Sequence, residues 1–180
     1  MLPMFTEKDV LPVGDYPLTL NQLRESHLVT GEANPSPAWD SEWRLHLVNN
    51  LEILVKQLWT AGIDRIFIDG SFVENKDHPH DVDGYFECEM QRFVTRDLHR
   101  ELNALDPHKV WTWALSSRRP DPNSTKLQLP MWHQYRVDLW PDYGNFSGIL
   151  DEFGNNLTFP AAFRKSRLMH LPKGIVQIVK

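Results

Sequence analysis

The chain has 180 residues, a single cysteine and a net charge of −5, from 19 basic and 24 acidic side chains. That length suits one domain, residues 1–180, able to bury a core without staples. A lone Cys88 excludes an internal disulfide framework and a multi-cysteine zinc site, and the acidic balance excludes a polycation that coats nucleic acid.

Cys88 reads as a small, partly buried side chain rather than a catalytic thiol. Met1 to Gly14 has no basic region followed by an apolar run, and no stretch approaches the ~18 apolar residues of a membrane span. Neither a signal peptide nor a membrane helix is expected, and the expected compartment is the cytoplasm. On that reading the Asn-x-Ser/Thr matches at Asn123, Asn145 and Asn156 are chance.

Residues 1–37, with Pro3, Pro12, Pro17, Pro35 and Pro37, read as an extended lead-in with one helical turn near Leu18–Ser26. Ser36-Pro37 and Asp40 offer helix-start chemistry. Trp43, Leu47, Leu51, Leu54 and Leu58 then recur at helical spacing, widened by Val48, Val55 and Trp59, and Gly62 closes the helix. Arg65 to Asp69 is a short apolar strand ending at Gly70-Ser71. A polar loop, Val73 to His80, leads to a second strand, Asp81 to Cys88. Phe93/Val94, Leu98, Leu102 and Leu105 mark a helix stopped by Asp106-Pro107. Lys109–Leu115 reads as a strand, Ser116–Pro130 as a loop, and His133–Trp140 as an alternating strand ended by Pro141. Gly174 introduces a last strand, Ile175–Val179. The order predicts an α/β (α+β) domain, a mixed β-sheet flanked by helices. No Walker or dinucleotide glycine fingerprint appears.

Asp81 and Asp83 are two apart in a strand, so both carboxylates point to one side. Two anions so close repel unless a cation sits between them, and Mg²⁺ or Mn²⁺ is the natural counter-ion for oxygen ligands. Gly70 after a buried strand lets backbone approach phosphate oxygens, and a short helix starting at Ser71 would add N–H donors. Asp138, flanked by Val137 and Leu139, needs a partner: a metal, or a salt bridge to Arg136 or another arginine. Arg118, Arg119 and Lys126 lie in the polar loop, either as phosphate ligands or as solvated charges. His78 and His80 flank Pro79 just before the aspartates, and Trp111, Trp113, Trp132 and Trp140 offer base-stacking rings or simple packing. The 161–180 segment carries Arg164, Lys165, Arg167, Lys173 and Lys180 and no acid. It reads either as a surface for a phosphate-bearing partner or as a solvated face.

The strand–Gly-Ser–loop–Asp-x-Asp pattern, followed at a distance by apolar-Asp-apolar, resembles the nucleotidyltransferase superfamily typified by DNA polymerase β. The segments Phe67-Ile68-Asp69-Gly70-Ser71-Phe72-Val73, Asp81-Val82-Asp83 and Val137-Asp138-Leu139-Trp140-Pro141 are similar to its minimal prokaryotic and phage-associated branch. Leu11-Pro12 and Pro172-Lys173-Gly174-Ile175-Val176 extend the resemblance over most of the chain. Two departures are His78-Pro79-His80, where many relatives carry glycine and serine, and Gly84, where a bulky apolar residue is usual.

The resemblance implies two-metal nucleotidyl transfer. Asp81 and Asp83 would bridge both ions, and Asp138 would hold the ion that activates the acceptor. Gly70 and Ser71 would cradle the phosphates of an NTP, with Arg118, Arg119 and Lys126 neutralising pyrophosphate. The acceptor would be an RNA end, a protein or a small molecule, in a toxin- or defence-related setting with a cognate protein partner. Two other classes compete: a catalytically silent binding module of the same fold (an antitoxin or phage inhibitor), and a metal-dependent nuclease built on Asp69, Glu74 and Lys76.

Overall fold

The computed structural model describes residues 2–32, 36–124, 126–166 and 169–180. Pro35 of the expected lead-in and Arg167 of the basic segment lie outside them. In chain order the elements are β1 (Asp15–Thr19), α1 (Leu20–Glu25), α2 (His27–Thr30), α3 (Ser41–Thr60), β2 (Ile66–Asp69), β3 (Val82–Glu87), α4 (Met90–Val94) and α5 (Asp97–Leu105). They continue with α6 (Pro130–Tyr135), β4 (Val137–Asp142), β5 (Phe146–Leu150), β6 (Asn156–Thr158), α7 (Phe159–Ala162) and β7 (Ile175–Val179). Five strands form a mixed sheet in the order β1-β7-β2-β3-β4, and β5 pairs with β6 in a separate hairpin. The fold is mixed α+β, as the element pattern predicts. Among the described residues no helix is long and apolar enough to cross a membrane.

The long helix forms where its leucines recur. Asp40 caps it by accepting from the Trp43 N–H at 2.9 Å, and Gly62 takes a left-handed φ of 78° just beyond its end. Leu47, Leu51, Leu54 and Leu58 are fully buried. They pack with Ile66, Ile68, Val82, Phe86, Val137 and Leu139 on one face of the sheet. Alternation sends Phe67 and Tyr85 to the other face, where Phe159 and Phe163 cover them.

One buried cation holds the α3 side to the turn after β2. Arg44, fully buried, donates to the carbonyls of Leu28 (2.7 Å), Phe72 (2.8 Å), Glu74 (3.3 Å) and Lys76. Burial lowers its pKa to about 9, so it remains charged at neutral pH. An ammonium cannot reproduce this planar fork. Arg44→Lys is therefore expected to cost about 1–3 kcal/mol, from carbonyls left without donors, measurable by urea unfolding.

Several elements differ from the sequence reading. The lead-in is not merely extended: β1 pairs in parallel with β7, and the Leu11 carbonyl accepts from Gly174 N–H at 3.0 Å. The expected helix over 93–105 is two, α4 and α5, broken where Arg96 adopts φ 61°. Lys109–Leu115 forms no strand, because side chains take over its pairing. Asn103 exchanges hydrogen bonds with the Trp111 backbone (2.8 and 3.0 Å), and the Trp111 indole donates to Gln57 at 2.6 Å. His133–Tyr135 ends a helix rather than starting a strand; Arg136, at φ 55°, turns the chain into β4. Pro141 does not end that strand, since β4 runs on to Asp142. As the sheet's edge, β4 has one side on which a missing N–H costs nothing. The β5–β6 hairpin, with Phe146, Leu150 and Phe153 exposed, has no counterpart in the sequence reading.

Candidate active site

Strand register assembles the acidic residues. Asp69 on β2 lies opposite Asp83 on β3, and Asp83 lies opposite Asp138 on β4. Three aspartates thus form a row across adjacent strands, on the face opposite the leucine core. In the next row Phe67, Tyr85 and Trp140 are likewise in register, making an aromatic shelf under the carboxylates. Asp81 stands one step before β3, half-buried.

Each member of the row has a different environment. Asp138 is 9% exposed, and its Oδ1 is buried without a hydrogen-bond partner. Burial and then the charge of Asp81 push its pKa up to about 7, against the pull of Arg118 and Lys126. The salt bridge to Arg136 that the sequence left open is not made: Arg136 Nη2 lies 3.6 Å from Asp121, and its guanidinium sits 3.8 Å over the Trp132 ring. Asp81 Oδ2 accepts from the Trp132 indole N–H at 2.7 Å.

Asp83 is packed against the Gly70 turn. Gly70 opens a 3₁₀ turn, Gly70–Val73, with φ 69°, and a Cβ there would lie 2.2 Å from Asp83 Oδ2. Glycine is required twice over, by the dihedral and by the close carboxylate. Gly70→Ala is expected to cost at least about 1–2 kcal/mol and to displace the Asp83 side chain. Thermal unfolding and a crystal structure of the variant would check both. Gly84 has a packing reason as well: a Cβ would meet the Phe67 carbonyl oxygen at 2.4 Å and Leu139 Cδ2 at 2.8 Å.

The third aspartate of the row is neutralised from below. Lys173, 2% exposed, places Nζ 3.1 Å from Asp69 Oδ1 and 3.2 Å from the Gly70 carbonyl, and donates to Glu74 Oε1. The Asp69 contact is charge–charge rather than a well-aligned hydrogen bond. Burial opposes the Lys173 charge, but Asp69 and Glu74 outweigh it and hold the ammonium above its usual pKa. Burial equally favours a neutral Asp69; with two carboxylates on one ammonium, the lysine charge is the member that persists.

Gly70, Asp81, Asp83 and Asp138 therefore lie at one end of the sheet, and Ser71, half-buried, follows Gly70 in the turn. Arg118 sits 5.5 Å over the Trp140 ring, and it and Lys126 bear electrostatically on Asp138. Arg119 is exposed, its backbone paired with Gln128. Among the described residues, no three acidic, histidine or cysteine side chains are grouped closely enough to hold a metal ion. The carboxylates form an open row, not a closed cage. Their chemistry nevertheless fits a hard divalent cation, because Asp138 leaves a buried oxygen unpaired beside the charge of Asp81.

The other candidates fall outside the row. His78 is exposed, stacks on Trp43 at 5.2 Å and pairs with Asp40 at 2.9 Å; His80 is exposed. Trp111 and Trp132 are buried, Trp113 donates to the Leu139 carbonyl at 2.8 Å, and Trp140 stacks on Phe159. Burial pushes the Cys88 thiol up to about 11, which makes it a poor nucleophile. Four of the five basic C-terminal residues are paired within the chain: Arg164 with Asp15, Lys165 with Glu152, Lys173 as above, and Lys180 with Asp64. Lys173 and Arg44 carry no local sequence signal of their roles, since their partners are carbonyls and carboxylates supplied by distant segments.

Fold and site together define a mixed α+β domain with aspartates in register at one end of its sheet. The chain belongs to a family of unknown function (DUF6932), which it matches over residues 3–179. No curated protein and no solved structure matches it.

Proposed function

We propose that the protein is a divalent-metal-dependent nucleotidyltransferase, moving a nucleoside monophosphate from an NTP to an acceptor hydroxyl. The observation that carries this reading is the register of Asp83 with Asp138, with Asp81 beside them and the Gly70 turn packed on Asp83. Asp81, Asp83 and Asp138 would hold Mg²⁺ or Mn²⁺, which supplies charge stabilisation for the attacking and leaving oxygens.

The chain's own residues do the rest. Asp138 would take the acceptor's proton as the acceptor oxygen attacks the α-phosphorus. The bond from that phosphorus to the bridging oxygen breaks, and pyrophosphate leaves. Ser71, next in the turn that Gly70 opens, would receive phosphate oxygens, and Arg118 and Lys126 would offset the charge of the leaving group. Arg119 is exposed and free to swing toward a bound polyphosphate. An RNA end, a protein or a small molecule would supply the hydroxyl, in the toxin- or defence-related role that the resemblance implies.

A catalytically silent binding module of the same fold is the second reading. The nuclease reading loses support, because Lys173 rather than Lys76 engages Asp69 and Glu74.

The test is incubation of the full-length protein with each α-labelled NTP, Mg²⁺ and cell extracts, beside an Asp81→Asn/Asp83→Asn control. Label transferred only by the unsubstituted protein is expected. Equal label in both samples, or none in any extract, would sink the transferase.

A further inference from the structure

We infer that Trp132 is a positioning residue for the cation site, fixing one oxygen of Asp81 and tying that carboxylate to the basic loop 118–128. The inference rests on the reading of Asp81 as a cation ligand.

Trp132 is 2% exposed, and its indole N–H is a donor with no capacity to accept. Its partner is Asp81 Oδ2, at 2.7 Å. A carboxylate on a free side chain turns about its last torsion in a broad, shallow well. A hydrogen bond from an immobile, buried ring removes that freedom. It commits Oδ2 to the indole and leaves the other oxygen for a ligand.

The ring is also joined to the loop by two separate contacts. Arg136 folds back 3.8 Å over the indole and reaches Asp121 at 3.6 Å. His133 packs edge-on against the same ring, at 5.4 Å and 85°, and its Nε2 lies 3.2 Å from the Arg119 carbonyl. The backbone closes the unit: Arg136 N–H donates to the Trp132 carbonyl at 2.8 Å, and the Arg136 carbonyl accepts from Val82 at 3.0 Å, next to Asp81. A ligand that draws Arg118 or Lys126 toward itself therefore pulls on a loop whose anchor is the group orienting Asp81. Ordinary satisfaction of a buried indole explains the Asp81 hydrogen bond, but it gives no reason for both loop contacts to fall on the same ring.

The experiment is Mn²⁺ binding to the full-length protein, followed by electron paramagnetic resonance of the free ion. The wild type is compared with Trp132→Phe and Asp81→Asn. Trp132→Phe removes the donor and leaves a small cavity, and should weaken Mn²⁺ binding about tenfold while the circular dichroism is unchanged. A variant-free readout runs beside it: trace Mn²⁺ should broaden the Trp132 indole ¹H–¹⁵N signal while those of Trp59 and Trp111 persist. An indole signal that stays sharp overturns the inference even if Trp132→Phe does not fold. Wild-type affinity in a folded Trp132→Phe, or an indole signal indifferent to bound Mn²⁺, overturns the positioning role and leaves the cation site standing. Absence of Mn²⁺ binding by the wild type overturns the cation reading and this inference together.

Discussion

Asp138→Asn is expected to make the metal-free protein more stable at pH 8, by up to about 4 kcal/mol, at about 1.4 kcal/mol per pK unit. The native carboxyl has a pKa of about 7, raised by burial and by Asp81, whereas an unfolded aspartate ionises near ~3.9. For an acid whose native pKa is raised, the stabilising contribution is complete below the unfolded value. It is lost as pH rises through the native one. Wild-type stability should therefore fall between about pH 4 and pH 7 from this group, and the asparagine variant should lack that fall. Urea unfolding at pH 4, 6 and 8 checks it: the difference between the two proteins should be near zero at pH 4 and largest at pH 8. A difference independent of pH would mean that Asp138 ionises freely in the folded chain. The same substitution should abolish the proposed nucleotide transfer, so that stability and activity move in opposite directions, as expected where a site is held under electrostatic strain.

Lys173→Met should have the opposite sign, a loss of about 3–5 kcal/mol, because it strands buried carboxylates without their cation. The ammonium is 2% exposed and serves Asp69, Glu74 and the Gly70 carbonyl together. Adding Asp69→Asn to Lys173→Met should recover a substantial part of the loss, because what destabilises the single variant is the unpaired charge, not the missing methylenes. Denaturant midpoints of the two variants and the wild type provide the measurement. The raised pKa of Lys173 keeps its contribution intact through neutral pH, with loss only in strongly alkaline solution. On the acid side the partners set the limit: burial raises the Asp69 pKa to about 7, so the pairing weakens as that carboxyl protonates.

The contrast shows what could be read from the sequence. The α3 stripe, the apolar β2 and the strand that carries Asp83 were legible because each depends on local periodicity and a terminating residue. Gly70 was legible for its turn, although the reason it must be glycine, the Asp83 carboxylate at its Cα, belongs to a neighbouring strand. Asp138 was marked by its apolar flanks, and the register with Asp83 supplies what they could not. The misreadings have different causes. Trp111 and its neighbours are rich in β-formers, but Asn103 and Gln57 take the hydrogen bonds that a ladder would use. The alternation through His133–Tyr135 was real, yet Leu129-Pro130 starts a helix and Arg136 ends it. Lys173 stands in the sequence as one charge of a basic tail and as part of the closing Pro172–Val176 segment of the resemblance; nothing near it announces a buried triad, since Asp69 and Glu74 lie about a hundred residues away.

The position of β7 between β1 and β2 bears on how the chain reaches its working form. Synthesis must proceed to residue 179 before β2 acquires its second neighbour. Lys173, just upstream of that strand, reaches the Gly70 turn only at the same late stage. A nascent or prematurely released chain would carry all three aspartates of the proposed centre and still lack the strand and the ammonium that hold their turn in place. Such long-range closure slows folding, and it couples completion of the polypeptide to assembly of the sheet that carries the proposed centre.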